Sequence, residues 1–242
     1  MKTIFEGVYK IDERTIATKN AVPGRKVYDE RLLKAKLDTG HHGASGSKPS
    51  GSSASEGGTL DTELRVWDPF RSKLAGAIRK GLKNFPFLPG TKVLYLGAST
   101  GTTISHLSDI MGKDGEIFAV EIAPQCMKSL LPLCDLRHNV IPIHADAKQP
   151  QEYKEVGEVD SLYQDVAQPD QADILIKNAD MFLKKGGIAM IAIKSQSIDV
   201  TKKPKEVFEV VLRTLEAKFD VLEKYELEPF DKDHLFVVLR YR

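Results

Sequence analysis

The chain has 242 residues, of which 41% are hydrophobic and 29% are charged. This length suits one sizeable core domain with a small appendage and is too short for two full domains. The formal net charge of +1 excludes a globally basic nucleic-acid binder, so any basic surface must be local or supplied by partner proteins. No apolar run of about 18 residues or signal-like N terminus occurs, so a soluble, intracellular protein without membrane contact is expected. Cys126 and Cys134 lack the spacing of a zinc site and are expected to be buried or incidental thiols.

The first 37 residues alternate short apolar and polar runs, and Asn20-Ala21-Val22-Pro23-Gly24 supplies turn chemistry between them. A small antiparallel β unit is therefore predicted, within a first domain of residues 1–61. This domain includes residues 39–58, which are dominated by Gly and Ser and are too poor in apolar residues to offset their ordering entropy. We expect a flexible loop there. His41 and His42 inside it could form half of a metal site, but two solvated histidines are the favoured interpretation.

A second domain is predicted over residues 62–242. It opens with a helical pattern from Thr62, with Asp68 as a candidate N-cap and Pro69 at the first helical position. Strand-like and helical stretches then alternate: the predicted strands are 92–96, 117–120, 140–143, 159–163, 188–193, 221–227 and 235–239, and the predicted helices are 103–111, 125–134, 171–183 and 205–218. This alternation favours a doubly wound, mostly parallel α/β sheet, with the last two strands as an antiparallel hairpin at one edge. By analogy, the layout is that of class I (Rossmann-like) methyltransferases.

A turn of small residues, Gly97-Ala98-Ser99-Thr100-Gly101-Thr102-Thr103, follows the first strand of this sheet. Its glycines allow a ligand to approach the backbone, and the helix that it opens presents free N–H groups. The spacing is GxxxG, which lacks both the GxGxxG pattern of dinucleotide sites and the lysine of a phosphate-binding loop. The turn alone is also compatible with a purely structural role. Glu121 ends the second strand, where an acid can bind ribose hydroxyls, and Asp146-Ala147 ends the third, where a carboxylate can hold an adenine amino group. Together these strand ends predict an adenosine-containing ligand.

The heptapeptide Asp165-Val166-Ala167-Gln168-Pro169-Asp170-Gln171 follows the fourth strand of the predicted sheet. Pro169 prevents the strand from continuing, so two carboxylates and two side-chain amides gather at a strand end. Open α/β sheets bind their ligands just outside the carboxyl ends of the strands. The heptapeptide is therefore a further candidate for the site.

Several ordered segments make the chain resemble the fibrillarin family, in particular its archaeal form. They are 65–75 (RVWDPFRSKLA), 93–110 (VLYLGASTGTTISHLSDI), 165–171 (DVAQPDQ), 193–194 (IK) and 231–234 (DKDH), and with the intervening strands they cover essentially all of 62–242. Residues 1–37 resemble the N-terminal β unit of that family. The chain departs from the family at 39–58, where a short connection is usual, and at Ser99-Thr100, where Ala-Ser is usual.

The resemblance implies an S-adenosyl-L-methionine-dependent ribose 2′-O-methyltransferase that works on rRNA and tRNA in an archaeal cytoplasm. Its implied setting is a box C/D ribonucleoprotein with guide RNA, substrate RNA, a Nop-family scaffold protein and a kink-turn-binding protein. Carried over by position, the cofactor-binding residues are Gly97, Ala98, Thr102, Thr103, Glu121, Ile122, Asp146, Ala147, Asp165, Val166, Ala167 and Gln168, and no metal ligands are implied. The family's catalytic Lys-Asp-Lys-His set matches Lys73, Asp165, Lys194 and His234.

Methylation of a 2′-hydroxyl needs a group that removes its proton, because the hydroxyl is a weak acid. Lys194 is the candidate base, since the apolar strand before it disfavours the charged ammonium. Lys73 and His234 would position the ribose and tune the charge, and Asp165 would orient Lys194. Two alternatives stay open. An NAD-type oxidoreductase is disfavoured by the absent GxGxxG, and a non-catalytic docking component is disfavoured by the full set of catalytic-type residues.

Overall fold

The computed structural model describes residues 1–38 and 59–242, so the predicted flexible loop at 39–58, with His41 and His42, lies outside the described residues. Within the described ranges, no helix is long and apolar enough to cross a membrane. The described residues build a five-stranded sheet near the N terminus and a seven-stranded sheet in the rest of the chain.

The N-terminal sheet is antiparallel throughout and confirms the predicted β unit. Its strands are β1 (Lys2–Phe5), β2 (Val8–Lys10), β3 (Ile16–Lys19), β4 (Leu32–Asp38) and β5 (Thr59–Trp67), in the spatial order β1-β2-β3-β5-β4. The prediction of a helical pattern from Thr62 was wrong at its start, because β5 continues to Trp67 between β3 and β4. Strand β5 also crosses the predicted boundary between residues 61 and 62, and the division into two domains stays a prediction.

The first helix, α1 (Lys73–Arg79), begins later than predicted. Its N-cap is Ser72, whose Oγ accepts a hydrogen bond from the backbone N–H of Ala75. Asp68 was the predicted N-cap, but its carboxylate instead accepts the backbone N–H of Phe70 at 2.9 Å and closes a separate turn. The shift matters for the site, because it makes Lys73 the first residue of the helix.

The remaining elements alternate as predicted. They are β6 (Lys92–Leu96), α2 (Thr102–Met111), β7 (Glu116–Glu121), α3 (Pro124–Leu136), β8 (Val140–His144), a 3-10 helix (Pro150–Val156), β9 (Val159–Gln164), α4 (Gln171–Phe182), β10 (Leu183–Lys194), α5 (Ser195–Ile198), α6 (Pro204–Leu215), β11 (Phe219–Glu226) and β12 (His234–Tyr241). The strand order is β11-β12-β10-β9-β6-β7-β8, with β12 antiparallel to both of its neighbours and the other pairs parallel. This confirms a mostly parallel sheet with a C-terminal antiparallel hairpin. The 3-10 helix and α5 were not predicted.

The seven-stranded sheet is covered on both faces. In β6, Val93 and Tyr95 enter one hydrophobic cluster, whereas Leu94 and Leu96 enter the other. The first cluster also contains Ile16 and other side chains of the N-terminal sheet, so the two sheets share one core. Because β6 to β10 run parallel, their carboxyl ends lie along one edge, and the loops that follow them meet there.

A buried polar network joins the N-terminal sheet to α2. The carboxylate of Asp109 accepts hydrogen bonds from Arg65 at 2.8 Å, from Arg137 at 2.6 Å, from the hydroxyl of Thr18 at 2.8 Å and from the backbone N–H of Ala21 at 2.9 Å. The side chains of Asp109 and Arg65 are fully buried. These charge-assisted bonds fix how the N-terminal sheet sits on the rest of the chain.

Candidate active site

A cavity of about 260 Å³ opens where the parallel strands end, and we call it the acidic pocket. Its lining residues are Gly97, Ser99, Val120, Glu121, Ile122, Ala145, Asp146, Ala147, Asp165, Val166, Ala167, Gln168 and Ile174. They come from the last two residues of β7, from the loops after β6, β7, β8 and β9, and from one residue of α4. Most of the residues predicted to bind the cofactor therefore lie in one pocket.

Gly97 is required at the floor of this pocket by its backbone geometry. Its φ is +83°, and an added Cβ would lie 2.4 Å from the carbonyl oxygen of Asp165. A side chain cannot be accommodated at that distance, so glycine alone lets the loop after β6 pass the loop after β9. The N–H groups of Gly97 and Ala98 both donate to the carbonyl oxygen of Val120, which fixes the turn on β7.

Two of the acids that line the pocket, Glu121 and Asp146, are held in place by backbone groups. Glu121 is 8% exposed, and its carboxylate accepts the N–H of Ser99 at 2.7 Å and the N–H of Ala123 at 2.8 Å. Asp146 accepts the N–H of Lys148 at 2.9 Å. Each carboxylate retains lone pairs for hydroxyl or amino donors of a ligand. This donor and acceptor chemistry suits an adenosine group.

A second cavity of about 290 Å³ lies beside the acidic pocket, and we call it the lysine cleft. It is lined by Arg71, Lys73, Tyr95, Gly97, Ala98, Ser99, Thr100, Thr102, Thr103, Asp165, Val166, Ala167 and Lys194. The two cavities share Gly97, Ser99 and the segment 165–167, so they form one continuous depression. The start of α2 faces this cleft, and its N-cap, Gly101, offers no side chain to the first N–H groups. Such a helix start can hold a carboxylate.

Lys73 carries the strongest ionic contacts in the cleft. Its ammonium lies 3.0 Å from Asp165 and 3.6 Å from Asp231. Burial opposes the charged form, but the two carboxylates outweigh it and raise the pKa of Lys73 above its ordinary value. Lys73 is therefore an ammonium at neutral pH.

The predicted pairing of Asp165 with Lys194 is not present: within the described ranges Asp165 forms its ion pair with Lys73, and the side chain of Lys194 has no ion-pair partner. Lys194 ends β10, and its backbone N–H donates to the side-chain oxygen of Gln171 at 3.3 Å. Gln171, the last residue of the predicted heptapeptide, is fully buried. It thereby ties the start of α4 to the end of β10.

His234 lies next to the cleft without lining it. It starts β12 directly opposite Lys194 in the β10–β12 pair, and it is 7% exposed. Its Nδ1 lies 2.7 Å from the carbonyl oxygen of Lys232 and 2.9 Å from the carboxylate of Asp231. Since both partners can only accept, Nδ1 carries a proton, and Nε2 is the ring nitrogen that neither contact uses.

Asp231 is the site residue that sequence reasoning missed. Its carboxylate contacts His234 through one oxygen and Lys73 through the other, so it links two of the predicted catalytic residues. The only signal in the sequence was its place in the string DKDH. Nothing in the spacing indicated that this loop would meet the start of α1.

The antiparallel hairpin at the edge of an otherwise parallel sheet separates this fold from dinucleotide-binding Rossmann domains and defines a class I methyltransferase fold. Comparison of the whole sequence with known proteins gives the family. The chain belongs to the fibrillarin family, whose model matches residues 1–242.

Individual relatives agree with this assignment over nearly their full length. A fibrillarin-like rRNA/tRNA 2′-O-methyltransferase of Thermococcus sibiricus is 48% identical over 98% of this chain and 96% of its own. A crystal structure of Aeropyrum pernix fibrillarin with natively bound S-adenosyl-L-methionine has a TM-score of 0.76 and 42% identity, covering 93% of this chain and 88% of that one. A fibrillarin/Nop5p complex has a TM-score of 0.78 and 36% identity, with full coverage of both chains.

Proposed function

We propose that this chain transfers a methyl group from S-adenosyl-L-methionine to the 2′-hydroxyl of ribose in rRNA and tRNA. The observation that carries the proposal is the shared wall of the acidic pocket and the lysine cleft, formed by Gly97, Ser99 and residues 165–167. A ligand in the pocket would meet a second ligand in the cleft at this wall. The activity named for the Thermococcus sibiricus relative is the same reaction.

The pocket suits the methyl donor on the chemistry of its own groups. Glu121 would accept the ribose hydroxyls and Asp146 the adenine amino group, while the N–H groups of Thr102 and Thr103 would hold the methionine carboxylate. Gly97 keeps the floor open, because any Cβ there would meet the backbone of Asp165. When bound, S-adenosyl-L-methionine supplies an electrophilic methyl group. The protein's part is then alignment of the attacking oxygen and removal of its proton.

Lys194 is the proposed general base. A base must be able to shed its own proton, and Lys73 is held as an ammonium by Asp165 and Asp231. Lys73 is therefore assigned to positioning and to electrostatic stabilisation of the hydroxyl oxygen as it loses its proton. Lys194 lines the same cleft without an ion pair among the described residues, which leaves its amine available. His234 would accept a hydrogen bond from the RNA through Nε2.

Lys194→Ala tests this assignment. We expect this variant to bind S-adenosyl-L-methionine as the wild type does and to lose about 10²- to 10⁴-fold in methyl transfer, the usual contribution of a positioned base. Lys194→Arg should be nearly as poor, because a guanidinium does not release its proton at working pH. Transfer of labelled methyl to guided RNA gives the rate, and calorimetry gives cofactor affinity.

The matched control for this test is Lys177→Ala, which removes an exposed lysine of α4 outside both cavities. Full turnover by Lys194→Ala would reject Lys194 as the base. A thermal shift with NAD but not with S-adenosyl-L-methionine would instead favour the oxidoreductase alternative.

We further infer that the chain is the catalytic subunit of a box C/D particle, with a Nop-family scaffold, a kink-turn-binding protein and a guide RNA. The solved complex of a relative with Nop5p supports the scaffold. A net charge of +1 also favours an enzyme that borrows RNA affinity from partners. Because the relatives are archaeal, we place the reaction in the cytoplasm. Methylation assayed with each partner left out in turn tests the inference, and a particle that assembles but transfers no methyl would favour the docking role.

A further inference from the structure

The lysine cleft continues into a third cavity beside the N-terminal sheet. This cavity of about 400 Å³, which we call the basic groove, is lined by Val22, Arg25, Lys26, Val27, Tyr28, Arg71, Thr100, Ser129, Pro132, Leu133, Leu136 and Arg137. Arg71 and Thr100 line both the groove and the lysine cleft. A chain-like ligand in the cleft can therefore extend into the groove without leaving the surface.

The charges of this path are almost all positive. Among the residues that the structure describes, the basic groove is lined by no acid and the lysine cleft by one, Asp165, which is already paired with Lys73. Arg137 is neutralised by Asp109. By contrast, Arg25, Lys26 and Arg71 are exposed and form no ion pair within residues 1–38 and 59–242. These three cations are available to a ligand.

The segment 20–26, which carries Arg25 and Lys26, is held by hydrogen bonds from the side chains of Asn20 and Glu63. The side-chain oxygen of Asn20 accepts the N–H of Val22, and its amide donates to the carbonyl oxygen of Arg25 at 3.1 Å. Glu63 on β5 accepts both the amide of Asn20 and the N–H of Gly24 at 2.7 Å. The predicted turn at residues 20–24 is thus a rigid support, so little backbone entropy is lost when a ligand binds.

Arg71 is held above the same segment. Its guanidinium carbon lies 5.4 Å from the centre of the Tyr28 ring, within the range of a cation–π contact. Arg71 precedes Lys73 by two residues, so it stands directly beside the cleft where the reacting ribose is placed. A guanidinium in this position presents a planar fork of donors that matches a phosphate.

We propose that the basic groove binds the phosphate backbone of the RNA strand whose ribose enters the lysine cleft, with Arg71 on the phosphate nearest the cleft and Arg25 and Lys26 on the phosphates beyond. This inference rests on the proposed function. A ribose within a strand carries a phosphate on each side, so the strand must leave the cleft along the surface. A neighbouring cavity that shares Tyr28 and Arg71 with the groove has a mixed lining, in which the acids Asp29, Glu30 and Asp68 accompany Arg14 and Arg31. Because these acids would repel phosphates, this cavity is the less favourable exit. The loop between β3 and β4, which carries Arg25 and Lys26, thereby becomes part of the RNA-binding surface.

Charge-removing variants in the assembled particle test the groove. We expect Arg71→Ala and the double variant Arg25→Ala/Lys26→Ala to raise KM for substrate RNA on the order of tenfold, the scale expected when a hydrogen bond to a charged group is removed. The plot of log(kcat/KM) against log[salt] should become shallower by about 0.7 for each phosphate that the variant no longer neutralises. Affinity for S-adenosyl-L-methionine should stay unchanged.

The controls are Lys34→Ala and Arg240→Ala. Both residues are exposed, form no ion pair within the described ranges, and lie outside all three cavities. Lys34 lies on β4 of the same N-terminal sheet, and Arg240 lies near the end of β12 that is opposite to His234. Neither control should change KM or the salt dependence.

A second measurement does not depend on turnover. A photoreactive p-benzoylphenylalanine in place of Lys26 should cross-link to substrate RNA in the particle, whereas the same group in place of Lys34 should not. The inference is overturned if the groove variants have the same KM and salt dependence as the control variants and position 26 gives no cross-link. Loss of the scaffold protein from a particle that carries Arg71→Ala would also overturn the inference, because it would identify the groove as a protein interface. If position 26 cross-links to substrate RNA while the wild-type particle transfers no methyl, the groove is upheld and the proposed function is rejected.

Discussion

Asp109→Asn is predicted to lower the free energy of unfolding by about 3–5 kcal/mol, the cost of removing one partner from a buried charge pair. The carboxylate is fully buried and accepts bonds from Arg65, Arg137, Thr18 and the backbone of Ala21. Asparagine has nearly the same size but only one acceptor oxygen, and its amide N–H groups would face the N–H groups that now donate to the carboxylate. Arg65 retains Glu30 at 2.6 Å, so Arg137 is the cation left without a carboxylate.

Urea denaturation followed by circular dichroism measures this loss. Two-state folded domains have about 5–15 kcal/mol of stability in total, so the change should move the unfolding midpoint strongly while leaving the m-value the same. Asp114→Asn is the matched control, because Asp114 is exposed in the turn after α2 and forms no side-chain bond in the described part of the chain. Adding Arg137→Met to Asp109→Asn should recover part of the loss, since the stranded cation is removed.

A loss below about 1 kcal/mol, or one equal to that of the control, would refute the view that this carboxylate holds the N-terminal sheet against α2. A double variant no more stable than Asp109→Asn would show that the stranded guanidinium is not the source of the cost. Either result would mean that the shared apolar core, rather than the polar network, fixes how the two sheets meet.

Three further predictions concern the turn, the buried histidine and the missed acid. Gly97→Ala should weaken S-adenosyl-L-methionine binding and lower Tm, because the new Cβ meets the backbone of Asp165 and overpacking of this kind costs about 1–3 kcal/mol. Gly90→Ala is the control: Gly90 also has a positive φ, +76°, but nothing lies near its added Cβ, so this variant measures the conformational cost alone. Equal effects of the two substitutions would contradict the steric argument. Burial, then Arg65 and Arg137, hold the pKa of His106 well below its usual 6.5. Below pH 6.5 the unfolded chain therefore binds one more proton at this histidine than the folded chain does. The free energy of unfolding should fall by up to about 1.4 kcal/mol per pH unit below pH 6.5, and it should fall less steeply in His106→Gln. If denaturation at pH 7.5 and 5.5 gave the same loss of stability for the wild type and His106→Gln, this explanation would be wrong. Asp231→Asn removes one cause of the raised pKa of Lys73, so the alkaline limb of the pH–rate profile should move to lower pH, and an unchanged profile would exclude this role.

The fold could be predicted where the pattern is local. The bounds of β6 match the prediction, and the alternation of strands and helices fixes the parallel sheet, because periodicity of 2 and of 3.6 residues is set within each element. The helical pattern predicted from Thr62 failed because the partners of β5 lie elsewhere in the chain. Asp61 and Glu63 on β5 pair with β4. Phe70, which follows the predicted first helical position at Pro69, is 65% exposed in a turn before α1.

The acidic pocket could be predicted because it depends on one rule. Residues that follow parallel strands meet at one edge of the sheet, so Gly97, Glu121, Asp146 and Asp165 are brought together by topology alone. The partner of Asp165 could not be predicted, because it depends on where α1 begins. Lys73 and Asp165 are 92 residues apart in the sequence. Their contact depends on α1 beginning at Lys73, directly after its N-cap Ser72, and not at Pro69 as predicted.

The position of Lys194, the proposed base, depends on strand register as much as on motif. Lys194 and His234 are directly opposite each other in β10 and β12, and opposite residues of an antiparallel pair project from the same face. A slip of one residue would send His234 to the other face of the sheet and separate it from Lys194. The register is held by the run of apolar pairs from Ala189 to Ile193, whose partners on β12, Leu235 to Leu239, belong to the two hydrophobic clusters. Core packing far from the cleft thus decides which lysine has a histidine beside it. In the proposed mechanism, Asp165 and Asp231 keep Lys73 charged, and Lys194 is therefore the lysine assigned to take the proton.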